Sequence, residues 1–398
     1  MLEIIGGILF WAGLLGLLHT YIFYPLSLLL LARKSPPPPE DPVEWPSVSI
    51  LVPAYNEETH IGAKIENCLA LDYPAEKLEV LVGSDCSTDR TAEIVRTCAD
   101  SRVRLFEMER RTGKVGVLNR LAREARENIF LFTDANTFLD ASAARKLVRH
   151  FADPTVGAVS GRLDMIPPKG ITEVRGESLY RRYEIFVKKL ESNLGGTCGA
   201  FGGLYTVRRE LFTPFHYDGR HDDMFQLLCV VEHGKRSLFE PTALSMEETG
   251  ASIREEFHRR ARFGIGNFQT LATMGHMICP RYGSTAYVFF SHKVLRWLSP
   301  FLLLAILAGS LLLRQILIYK IVLGLQILFY GVAAVGGILN GLGLRLPGFI
   351  LAYHFAALNL AFFLSFFHWL RGRQQMVWER SGRASSEIRP VEPSKKQC

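Results

Sequence analysis

"VSILVPAYN", residues 48–56, is the stretch on which the fold turns. Its apolar residues occupy consecutive positions, so both faces of a strand formed here are buried, and the helix-spaced "EETHIGAKIENCLA" follows at once. A doubly buried strand that leads into a helix belongs to a parallel sheet covered on both sides. The unit then repeats: "LEVLVGSD" before "TDRTAEIVRTCAD", "VRLFEM" before "KVGVLNRLAREA", "NIFLFTDA" before "ASAARKLVRHF", and "VGAVSG". The pattern predicts an α/β architecture, a Rossmann-like, mostly parallel sheet with helices on both faces.

The two ends of the chain read differently. "IIGGILFWAGLLGLLHTYIFYPLSLLLLA" exceeds the roughly 20 residues needed to cross a bilayer core, and Arg33 and Lys34 follow it. No basic stretch precedes the run and no small-residue cleavage site closes it, so it reads as an uncleaved anchor rather than a signal peptide. With basic residues just after the anchor, the following domain is expected in the cytoplasm and the N-terminus outside. "SPPPPEDPVEWP", residues 35–46, reads as a stiff spacer. Near the other end, Ile253, Phe257, Ala261, Ile265, Phe268 and Leu271 recur at helical spacing, as in a helix in the membrane interface or one packed on the domain. Further apolar segments lie near 298–313, 321–339 and 346–370. Three full crossings from a cytoplasmic domain would put the basic tail outside, against the positive-inside tendency. The expected organisation is an anchor at 1–34, a linker at 35–46, a cytoplasmic domain at 47–250, interfacial helices at 251–297, membrane segments at 298–370 and a basic tail at 371–398.

The formal charge is +7, and the tail alone holds seven Lys or Arg against three Glu. That balance suits an anionic membrane surface, and no zinc-finger or RNP-type pattern accompanies it, so nucleic acid is not an expected partner. Seven scattered cysteines without CxxC spacing fit a reducing compartment and offer neither a zinc site nor a strong nucleophile.

A parallel sheet binds ligands beyond the carboxyl ends of its strands, and there the chain gathers "AYNEE", "SDCSTD" and "DANT". Glu57, Asp85 and Asp134 each have an ordinary reading as a cap or turn residue; together at the ligand edge they read as a site. "FTDANT", residues 132–137, pairs an aspartate with a neutral asparagine, whose carbonyl is still an acceptable oxygen ligand for a hard cation. "ERRTGKV" lacks the first glycine and the final Ser or Thr of a Walker loop, although Lys114 remains a candidate phosphate contact.

The ordered set "PAYNEE", "SDCSTDRT", "TGKVGVLN", "FTDANT", "GGTCGAFGGLY", "HDD" and "RRARF" resembles membrane-integrated family 2 glycosyltransferases, the group of cellulose, hyaluronan and poly-N-acetylglucosamine synthases. The resemblance covers residues 48 to about 270 and implies a GT-A type fold with transmembrane helices at both ends. It implies a nucleotide-sugar site at Ala54, Tyr55, Glu57, Asp85, Lys114, Asp134 and Arg262, with a UDP-sugar as donor and Mg²⁺ or Mn²⁺ at Asp134 and Asn136. Asp223 takes the family's general-base position, with Asp222 as the alternative. Gly199, Ala200, Phe201 and Phe263 would face the acceptor. Processive relatives carry QxxRW where this chain has Arg259, Arg262 and Phe263.

The function so implied is inverting transfer, on the cytoplasmic side of the cell (inner) membrane, to a growing polysaccharide or glycolipid. A single-transfer enzyme acting on a lipid carrier is the nearest alternative. A membrane transporter with a nucleotide-binding part, or a non-catalytic membrane scaffold, are readings of another class; no internal repeat supports the transporter.

Overall fold

The computed structural model describes residues 1–32, 37, 39–166, 175–215, 222–248, 253–344 and 346–372, without the side chains of 175–180, 248 and 253–262. The readings of Arg33, Lys34, Arg259 and the Arg262 side chain, and nearly all of the basic tail, lie outside these residues.

Among the described residues, eight strands form one sheet: β1 (Val48–Ala54), β2 (Leu78–Ser84), β3 (Val103–Glu107), β4 (Ile129–Phe132), β5 (Thr137–Leu139), β6 (Val156–Ile166), β7 (Tyr205–Arg208) and β8 (Arg236–Glu248). Their order is β3-β2-β1-β4-β7-β6-β8-β5. β1 to β4 pair in parallel, as the strand–helix alternation requires, and β6 pairs in parallel with β8. The pairings β4–β7, β6–β7 and β5–β8 are antiparallel. The sheet is therefore of the expected GT-A type, with a parallel half that begins at β1 and a mixed half beyond β4.

Alternation along β1 sends side chains to two cores. Val48, Ile50 and Val52 join Ile61 and Ile65 on one face; Leu51 joins Val117, Leu121, Phe130 and Phe132 on the other. The helices over the sheet are α3 (Ile61–Leu69), α4 (Thr91–Arg96), α5 (Gly113–Glu124) and α6 (Ala143–Val148), preceded in the chain by α1 (Leu2–Leu18) and α2 (Tyr24–Leu31). They are followed by α7 (Arg175–Leu194), α8 (Asp222–Glu232), α9 (Ile253–Met274), α10 (Ser284–Val288), α11 (Leu295–Trp297), α12 (Ser299–Leu312), α13 (Leu317–Gly341) and α14 (Pro347–Leu370).

Among the described residues, three helical stretches are long and apolar enough to cross a membrane: Leu2–Leu31, Leu317–Gly341 and Pro347–Leu370. A fourth candidate is bent, with Ser284–Trp297 meeting Ser299–Leu312 at 63°. Its contacts run antiparallel to the N-terminal stretch. Tyr287 meets Ser27, Ser291 meets His19 and Ser299 meets Tyr21; further along, α12 lies against α1. There a Cβ on Gly309 would come within 2.6 Å of the Gly6 carbonyl oxygen and 2.7 Å of the Phe10 nitrogen. Such close backbone approach between apolar helices needs small residues.

The long apolar helices and the sheet domain share a core. Cys198, Met224 and Leu228 pack with Phe268 of α9 and with Phe289 and Trp297, and Phe366 and Trp369 at the end of α14 close the cluster. The apolar side of α9, Ile265 and Phe268, is buried, so this helix packs on the end of α14.

Candidate active site

Each strand end contributes a loop to the ligand edge, and the loops are pinned to each other. After β1 the chain turns through Asn56, whose left-handed φ of 53° is uncommon for a residue with a side chain. Its side-chain oxygen accepts from the Thr88 amide at 2.8 Å, and the Glu57 amide donates to Thr91 Oγ1 at 2.8 Å. After β2, Cys86 is also left-handed, at φ 55°. Two such turns side by side at one sheet edge are the kind of strain that functional sites retain. Ala54 is buried at the end of β1, and the Glu57 carboxylate is bound to His60 Nδ1 at 3.0 Å.

Asp85 is fully buried and accepts from the amides of Thr112 (2.7 Å) and Gly113 (2.9 Å) and from Arg111 Nε (3.2 Å). The two amides open α5, so a carboxylate expected to meet a nucleotide also satisfies donors that the helix leaves unpaired. Arg111 lies flat over the Tyr55 ring at 3.3 Å. Tyr55, Asp85 and Arg111 thus form one wall.

A second cluster sits where β4, α5 and α8 converge. Lys114 Nζ is 2.8 Å from Asp134 Oδ1 and 3.2 Å from Asp222 Oδ2. Burial alone would push the Lys114 ammonium down, but Asp134 and Asp222 outweigh it and hold it above the ordinary lysine range. Burial pushes the Asp222 carboxyl up; Lys114 opposes this, while Asp223 and Asp134 add to it. The Tyr205 hydroxyl donates to Asp222 Oδ2 at 3.2 Å, and its ring stacks on Phe132 at 4.5 Å. Asp222 is therefore committed to two partners. Asp223, 9% exposed on the same first turn of α8, has neither a hydrogen bond nor an ion pair among the described residues.

The turn between β4 and β5 holds Asp134 and Asn136. Asp134 Oδ1 is buried and makes no well-aligned hydrogen bond despite its nearby lysine. Asn136 Nδ2 donates to Glu247 Oε1 at 3.4 Å, which aims the amide oxygen away from β8. Beneath the turn, Lys64 is 0% exposed and donates to Thr133 Oγ1 at 2.9 Å and to the Thr137 carbonyl. A buried carboxylate oxygen short of hydrogen bonds, with an amide carbonyl two residues on in the same turn, offers oxygen ligands of the type a hard divalent cation takes. No group of three His, Cys, Asp or Glu suited to a metal occurs among the described residues.

The glycine-rich loop lies next to α8: a Cβ on Gly199 would sit 3.5 Å from Met224, the neighbour of Asp223, and one on Gly202 would meet nothing within 4 Å. Chain packing does not demand these two glycines, which leaves their open side for a ligand. Lys188 Nζ donates to the Gly199 carbonyl and lies 4.9 Å from the centre of the Phe201 ring; Ala200 is half-buried beside them. Phe263 is 38% exposed on α9.

The glycosyl transferase family 2 profile matches residues 49–212. These residues are a glycosyltransferase family 2 domain. The chain is 32% identical over 296 residues to a β-monoglucosyldiacylglycerol synthase of Synechocystis sp., covering 69% of this chain and 61% of the relative. It is 24% identical over 259 residues to the poly-β-1,6-N-acetyl-D-glucosamine synthase of Staphylococcus aureus, covering 63% of this chain and 61% of that protein. The chain thus spans about three fifths of the length of these curated relatives. In fold it is similar to a mannosyltransferase from Pyrobaculum calidifontis, PcManGT, solved with GDP-Man and Mn²⁺, with a TM-score of 0.70 and 24% identity over 94% of this chain and all of that one.

The family 2 domain brings Tyr55 and Asp85 to one wall and Lys114 and Asp134 to a second cluster, which Asp222 and Asp223 join from α8, beyond the matched residues. Sequence reasoning missed Lys64, Arg111, Tyr205, Glu247 and Lys188. Lys64 had a signal, since it interrupts the apolar helix face Ile61, Ile65, Cys68. Arg111 sits in a basic run that shows no preference among its members.

Proposed function

We propose that this chain is a membrane-embedded inverting glycosyltransferase, with its catalytic domain on the cytoplasmic side of the cell membrane. It takes a sugar from a nucleoside-diphosphate sugar and passes it to a glycolipid or a growing glycan. The observation that carries this reading is the triangle of Lys114, Asp134 and Asp222 with the uncommitted Asp223 beside it. The Tyr55–Asp85–Arg111 wall receives the base and ribose, and Lys114 meets the diphosphate. Asp134 and the Asn136 carbonyl are the residues that would hold Mg²⁺ or Mn²⁺, which supplies positive charge against the leaving diphosphate. Asp223, free to accept a proton, deprotonates the acceptor hydroxyl, and that oxygen attacks the anomeric carbon on the face opposite the diphosphate. Asp222, already held by Lys114 and Tyr205, positions the lysine.

The donor proposed first is a UDP-sugar; the neighbour solved with GDP-Man makes GDP-mannose the second donor to test. The chain leaves α14 at Arg371 close to the cluster of Met224 and Phe268. That supports a basic tail on the same side as the catalytic domain, in accord with the positive-inside tendency.

The test offers the purified full chain in lipid nanodiscs a panel of labelled UDP- and GDP-sugars, with Mn²⁺ or with EDTA, beside Asp223→Asn. One donor is consumed, metal removal stops it, and the variant loses at least about a hundredfold in rate. Consumption of no donor overturns the enzyme reading; an unimpaired Asp223→Asn overturns the base assignment.

A further inference from the structure

Behind the glycine-rich loop, α7 carries Glu184, Lys188 and Glu191 at i, i+4 and i+7, one stripe of a helix face, and all three are buried. A charged stripe is ordinarily solvated. This one faces the segment joining α10 and α11, which presents His292 and Lys293, and Arg296 of α11 itself.

Both carboxylates are fully engaged. Glu184 is paired with Arg296 and, at 3.3 Å, with His292 Nε2. Glu191 is bonded to His292 Nδ1 and accepts from the Tyr24 hydroxyl at 2.6 Å. Neither lysine is ion-paired to these carboxylates, although Glu184 and Glu191 lie near enough to act on both through space. Lys188, 2% exposed, rests on a neutral carbonyl and an aromatic face. Lys293 is half-buried and has no hydrogen bond or ion pair among the described residues. Burial and the like charge of Lys293 lower the Lys188 pKa to about 8, against the opposing pull of Glu191, Glu184 and Asp223. An unpaired ammonium kept out of water is costly unless an anion joins it.

The place narrows the anion. A Cβ on Gly199 would lie 3.8 Å from Lys293 Cε and 3.5 Å from Met224, so the lysines flank the loop that borders Asp223. Lys293 lies on the bent segment that runs beside the N-terminal apolar helices, where Ser291 is hydrogen bonded to His19 at 2.9 Å. Anionic headgroups meet protein cations at this kind of boundary between membrane helices and a catalytic domain. We propose that Lys188 and Lys293 form a phosphate site for the acceptor, and that the acceptor is a phosphate-bearing membrane lipid rather than a neutral one. This rests on the reading of the glycine-rich loop and Asp223 as the acceptor end.

The test is a binding measurement, so it stands or falls apart from turnover. The full chain in detergent is examined by native mass spectrometry with phosphatidylglycerol, with diacylglycerol, or with inorganic phosphate alone. Phosphatidylglycerol is retained and diacylglycerol is not; Lys293→Gln weakens retention about tenfold or more, and Lys293→Arg restores it. Equal retention of the neutral lipid, or full retention by Lys293→Gln, overturns the proposal. So does inorganic phosphate that competes as well as the lipid, which would assign the lysines to a free phosphate or to the donor's diphosphate. Failure to consume any donor sugar would instead overturn the transferase reading.

Discussion

Lys64→Met should separate catalysis from stability. The ammonium is sealed under the Asp134–Asn136 turn, bonded to Thr133 Oγ1 and the Thr137 carbonyl. Two charge-assisted hydrogen bonds are worth about 1.5–3 kcal/mol each, so removing them costs about 3–6 kcal/mol. Methionine has nearly the same length and eliminates a desolvation penalty of several kcal/mol for the buried charge. Burial lowers the Lys64 pKa, which shows that the charged form is less favoured inside than in water. The two effects nearly cancel, leaving a stability change within about 1–2 kcal/mol. The turn, however, loses both tethers, and a displacement of about 1 Å at a reacting site can cost a hundredfold in rate. Thermal unfolding followed by tryptophan fluorescence in detergent, beside donor turnover, reads both quantities. The expected result is an almost unchanged midpoint with kcat down roughly thirty- to hundredfold. The pH dependence adds a sign. Between the lowered folded pKa and the ordinary lysine value, the unfolded chain binds more protons, so stability rises with pH in that window. That contribution vanishes in the methionine variant. Full activity, or collapse of the fold, would refute the reasoning.

Asp134→Ala should abolish transfer, whereas Asn136→Ala should mainly raise the Mn²⁺ concentration needed, by roughly tenfold, because a neutral carbonyl contributes less than a carboxylate; a metal titration distinguishes them. Asp222→Asn should keep more activity than Asp223→Asn and should raise the donor KM, since Lys114 keeps only Asp134; steady-state kinetics with each variant would reverse the base assignment if the order were inverted. Gly309→Ala puts a methyl against backbone of α1 and should destabilise the helix pair by about 1–3 kcal/mol without altering donor KM, as thermal denaturation in detergent would show.

The parallel half of the sheet is legible because each doubly apolar run precedes a helix, and the strand-end carboxylates mark its ligand edge. The mixed half is not, because β5, β6, β7 and β8 pair across long connections that carry no local turn signal. Asp222 and Asp223 are adjacent in sequence and differ only in partners: Lys114 lies more than a hundred residues upstream, and Tyr205 reaches Asp222 from β7. Nothing in the sequence marks Glu184, Lys188 and Glu191 as buried, because their partners His292 and Arg296 lie about a hundred residues downstream. The bend at Leu298, by contrast, carries a local signal, since Ser299 and Pro300 open α12.

The core shared by Cys198, Met224, Phe268, Trp297 and Trp369 bears on how this enzyme can be handled. A fragment ending near residue 250 would retain the wall proposed for the donor and the turn proposed for the metal, yet would strip the apolar backing from the helix that carries both aspartates. Such a fragment should bind a nucleotide and transfer nothing, so donor affinity measured on it would report on half a machine. Inhibitor screens on this protein therefore belong on the full chain, with the long apolar helices attached.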